Sequence, residues 1–91
     1  MAMRDKNGEN ANERIARKFL RGERVNECNT KSIDQARGTR SLRLCNAEIA
    51  FIAAGILFIN DYHQFSDSRL TKGRKQALRM QAKSLGIEIR E

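Results

Sequence analysis

Between Glu48 and Asn60 stand eleven residues without a polar side chain, IAFIAAGILFI, Ile49 to Ile59. A membrane-spanning helix needs about 17–25 mostly apolar residues, and extending this run imports Glu48, Asn60 and Asp61, so a membrane role is not expected. Proline is absent from the chain, which removes the main breaker of helices. The run therefore reads as the middle of a helix over 41–64. A helix that is apolar all round is enclosed by protein on every side. Two neighbouring helices cover only part of its circumference. Either the segment from Arg24 to Arg40 covers the remainder, or a second copy does. Ala53, Ala54 and Gly55 at its centre favour close approach of another helix. The preferred expectation is a symmetric seam formed by Ile49, Ile52, Ala53, Gly55, Ile56 and Ile59, and hence a homodimer.

The flanking segments extend the helical reading. Residues 1–9 are polar and mixed in charge, as in a flexible arm. Asn10 and Glu13 have the spacing of a capping box, and Ile15, Ala16, Phe19 and Leu20 gather on one side of a helix over 10–21. Gly22 suits its left-handed end. Residues 22–40 read as irregular, with one helical turn from Ser32 to Arg37. A third helix is expected over 68–85, capped by Ser66, Asp67 or Ser68 and closed by Gly86 and Ile87 in a Schellman ending. Ile87 to Glu91 alternates apolar and charged residues, but no partner strand is apparent. The expected fold is all-α: one helical domain over 10–91 with about three helices, paired through the central one.

The chain carries 18 Lys and Arg against 11 Asp and Glu, a formal charge of +7, with a pI near 10.1. Such a balance fits nucleic acid or an acidic protein surface as partner. Arg69, Lys72, Lys75, Arg79 and Lys83 recur every three or four residues, one stripe along a helix. From Arg69 to Ile87 there are six cations and no carboxylate, whereas surface helices ordinarily mix the signs. Arg14, Arg17, Lys18 and Arg21 form a second basic face. These nine residues are the candidate phosphate contacts. Gln76 to Ile89 looks like the first helix and turn of a helix-turn-helix, but no recognition helix follows. Phe19, Phe51, Phe58, Phe65 and Tyr62 read mostly as core, so base stacking has no support at this level.

Catalytic chemistry is sparse. His63 has no nucleophile or pocket indicated beside it. Cys28, Cys45 and His63 lack the close spacing of common zinc sites. No Gly-rich phosphate loop is present. The expectation is a non-enzyme without metal or cofactor. The first ten residues lack the apolar core of a secretion signal, which points to a reduced, cytoplasmic protein. The chain reads as a small basic regulatory protein that binds nucleic acid as a dimer. The alternative is a protein-binding modulator, an antirepressor or inhibitor of the phage or mobile-element type, that masks a larger protein.

Overall fold

The computed structural model describes residues 8–60 and 69–91. The proposed arm at 1–7, His63 and the capping residues Ser66 to Ser68 lie outside these. Helix α1 spans Ala11–Leu20. The Asn10 side chain accepts from the Glu13 backbone N–H at 2.8 Å, and Glu13 accepts from the Asn10 backbone N–H at 3.4 Å. Gly22, at φ 83°, turns the chain out of the helix. Helix α2 spans Arg69–Leu85. Gly86 ends it in the left-handed region, and the Ile87 N–H reaches back to the Ala82 carbonyl at 2.9 Å. That is the six-to-one bond of a Schellman ending.

Between the helices the all-α expectation fails. The chain there forms strands β1 (Asn26–Glu27), β2 (Thr30–Asp34), β3 (Arg40–Leu44), β4 (Ala47–Ala53) and β5 (Ile56–Ile59), and β6 (Glu88–Arg90) follows α2. Together they make one six-stranded sheet in sequential order. Successive strands are antiparallel, except that β6 returns parallel to β5 after the α2 crossover. The protein is mixed α/β with two α-helices among the described residues. The expected helix over 41–64 and its helical seam are replaced by a β-meander, and the irregular 22–40 segment contains β1 and β2. The tail does have a partner strand: Leu57 pairs with Ile89.

Three of the four connections between β1 and β5 are two-residue turns; the fourth, between β2 and β3, passes through a 3-10 turn at Ala36–Gly38. Cys28–Asn29, Cys45–Asn46 and Ala54–Gly55 each put two consecutive residues at φ between 52° and 75°. Positive φ at both central residues is the signature of the two-residue hairpin turn whose twist matches that of paired strands. The apolar run is thus a hairpin. Its Ala-Ala-Gly centre is the bend, not a helix contact.

Alternation then explains why the run is apolar on all sides. Ala50, Ile52, Leu57 and Ile59 face the helices, while Phe51, Ala53, Ile56 and Phe58 face the other way. A register shift between Leu42 and Arg43 leaves Ile49 as an extra residue. The bulge turns both Ile49 and Ala50 into the core. There they join Ile15 and Phe19 of α1, Leu78 and Ala82 of α2, and Leu42 and Leu57 of the sheet. The radius of gyration is 12.3 Å, about that of a compact single chain of this length. The two helices cover one sheet face, so a second copy is not needed to close the core.

Candidate nucleic-acid interface

The helical layer binds most of its own positive charge. Arg14 donates to Glu27 through Nε at 2.7 Å, and Lys18 Nζ meets the same carboxylate at 3.0 Å. These bonds hold the Glu27 carboxyl below its ordinary pKa, against the opposing effect of partial burial. Arg17 pairs with Glu9 at 2.8 Å. Arg79 pairs with Glu91 at 2.7 Å and lowers that carboxyl's pKa. Lys75, expected at the centre of the α2 stripe, is only 5% exposed. Of the nine candidate contacts, Arg69, Lys72 and Lys83 on α2 and Arg21 after α1 stand exposed. The others are buried, half-buried or held by carboxylates. The α2 stripe is therefore interrupted.

Arg74, which the charge pattern did not single out, ties the layers together. It is 3% exposed. Its guanidinium donates to Thr30 Oγ1 at 3.2 Å, to the Cys28 carbonyl at 3.4 Å and to Asn12 Oδ1. Burial lowers its pKa, while the neighbouring Cys28 and Glu27 oppose that shift. Gly73 beside it makes room: a Cβ there would lie 2.8 Å from Asn12 Nδ2. Arg40 has a comparable structural task. It donates to the Phe19 carbonyl at 2.5 Å and the Glu23 carbonyl at 2.7 Å, binds Asp34, and sits 5.1 Å from the Phe19 ring centroid.

The opposite sheet face has a different character. No described element packs over it. One register row crosses five strands: Ile33, Ser41, Phe51, Phe58 and Arg90. Phe51 and Phe58 stack with centroids 4.7 Å apart and planes 11° from parallel. Both rings remain half-exposed. In the next row, two residues along the strands, Lys31 stands directly opposite Arg43. Like charges opposed across strands are destabilising. On its other side Arg43 stands opposite Glu48 of β4, but among the described residues neither cation has a carboxylate within 4.0 Å; Arg43 reaches the Asn46 carbonyl at 3.4 Å. Two polar atoms of these strands are buried without a hydrogen-bond partner, Ser41 Oγ and Arg43 Nε, and Ser41 is fully enclosed.

The proposed seam residues divide among these environments. Ile49 and Ile59 lie in the core, and Ile52 packs against it. Ala53 and Ile56 face outward, and Gly55 forms the turn. Lys31, Arg43 and the outward pair of phenylalanines were not legible as a site, because Lys31 falls in the segment read as irregular while Arg43, Phe51 and Phe58 fall in the expected 41–64 helix, where the rings read as core. The repeated Cys-Asn at 28–29 and 45–46 is the signal that marks the hairpins and hence this face. Among the described residues no group of three His, Cys, Asp or Glu is placed to hold a metal ion, and no helix is long and apolar enough to cross a membrane. Comparison with protein-family models, curated proteins and solved structures finds no match for the chain.

Proposed function

We propose that this protein is a small, non-enzymatic regulator that binds nucleic acid through the outer face of its sheet. The observation that carries the reading is the opposed Lys31–Arg43 pair beside the Phe51–Phe58 stack. A bound polyanion would neutralise two like charges that stand opposite one another across β2 and β3. The overall charge of +7 favours the same class of partner.

An electrophoretic shift assay with duplex and single-stranded DNA and RNA tests this at 50 and 200 mM salt. Two or three neutralised phosphates give about a ten-fold loss of affinity between those conditions. Lys31→Glu with Arg43→Glu abolishes the shift, while Arg69→Glu, Lys72→Glu and Lys83→Glu together weaken it only slightly. Loss in the α2 variant alone moves the site to the helix. No binding to any nucleic acid at 50 mM salt removes the reading. The protein-masking alternative then stands on Leu70, Met80 and Leu85, which are 42%, 64% and 41% exposed.

A further inference from the structure

We infer that the occupant of the outer face is a single strand, with bases stacked on the Phe51–Phe58 column and phosphates held by the Lys31–Arg43 row. This rests on the nucleic-acid reading above and narrows it. A duplex hides the faces of its bases within its own stack and is read by an element that protrudes into a groove. Here two ring side chains are set in a sheet, and no described element stands out beside them. Unpaired bases, by contrast, stack on aromatic side chains whatever their sequence, while cations follow the backbone.

The spacing fits that division. The aromatic and cationic rows are two residues apart along β3, about 7 Å at the usual rise of a strand. That is close to the length of one extended nucleotide. Ser41 belongs to the aromatic row and Arg43 to the cationic row; Ser41 is fully buried beneath the face, whereas Lys31 is exposed. Each ring of the stacked pair uses one face on the other, so a base extends the column from its free side.

Fluorescence anisotropy with a labelled twelve-nucleotide DNA strand, the same sequence as RNA and the matching DNA duplex tests the inference at 50 mM salt. Either single strand is expected to bind at least ten-fold more tightly than the duplex. Phe51→Leu and Phe58→Leu keep apolar bulk but remove the ring; each lowers single-strand affinity about five- to ten-fold and leaves duplex affinity unchanged. Thermal melting verifies that both variants fold. If either unfolds, wild-type protection of stacked thymines from permanganate in the DNA strand provides the same test, and unprotected thymines reject the stacking. Duplex binding equal to or tighter than single-strand binding overturns the inference and leaves the nucleic-acid reading intact. Absence of binding to all three probes overturns both.

Discussion

The two sides of the sheet treat positive charge in opposite ways. In the helical layer Arg14 and Lys18 converge on Glu27, Arg17 on Glu9 and Arg79 on Glu91, while Arg74 is buried among oxygen acceptors. On the outer face Lys31 and Arg43 are left opposed to one another. The helices hold more cations, including the exposed Arg21, Arg69, Lys72 and Lys83, yet only the sheet sets two cations directly opposite one another. Net charge favours an anionic partner. The opposed pair is what singles out the outer face as the proposed site.

Variants sharpen this contrast, beginning with the one of largest effect. Arg74→Met deprives Thr30, Asn12 and the Cys28 carbonyl of their shared donor. It should lower stability by about 2–4 kcal/mol, measured by urea unfolding, without changing the nucleic-acid affinity of the folded fraction. Lys31→Glu should do the reverse. It places opposite charges across β2 and β3 and raises stability by about 0.5 kcal/mol, while reducing nucleic-acid affinity about ten-fold or more. A parallel loss of stability and binding would show that the outer face is structural.

Glu27→Gln weakens the ion pairs with Arg14 and Lys18 and should cost about 0.5–1 kcal/mol at neutral pH. Because the Glu27 pKa is lowered on folding, its contribution is present above the unfolded-state value and disappears as pH falls through the folded one. Urea midpoints of wild type and Glu27→Gln should converge on acidification below pH 4.5. The smallest effect belongs to Ala54→Asn. It places a residue tolerant of left-handed backbone where Ala54 has φ 53°, and the resulting Asn-Gly turn should raise the melting temperature by a few degrees, about 0.5–1 kcal/mol.

The helix ends were readable because their determinants are local. Asn10 with Glu13, and Gly86 with Ile87, act within one turn of the chain, and both perform in the structure as their spacing suggests. The central hairpin was not readable from periodicity. Alternation is visible only when one sheet face is polar, and here Phe51, Ala53, Ile56 and Phe58 make the outer face apolar as well. The turns concealed themselves too, since Cys-Asn and Ala-Gly are weaker signals than Asn-Gly. With Phe51 and Phe58 assigned to a helix, their stacking opposite one another was out of view. Lys31 lay in the segment read as irregular and Arg43 in the expected 41–64 helix, so no pattern joined them.

By itself the sequence determined the charge total, the two capped helices, the exclusion of a membrane helix and the presence of an apolar segment too rich for one helical stripe. Tertiary structure decided what that segment is and which cations are available. Arg74 meets Thr30 across 44 positions of chain, and Phe51 meets Phe58 only in the register set by the Ala54–Gly55 bend. Ion pairing, burial and cross-strand repulsion depend on distances in space. The same arginine is a phosphate contact on an open sheet and a structural tie beneath a helix, and only the folded chain distinguishes the two.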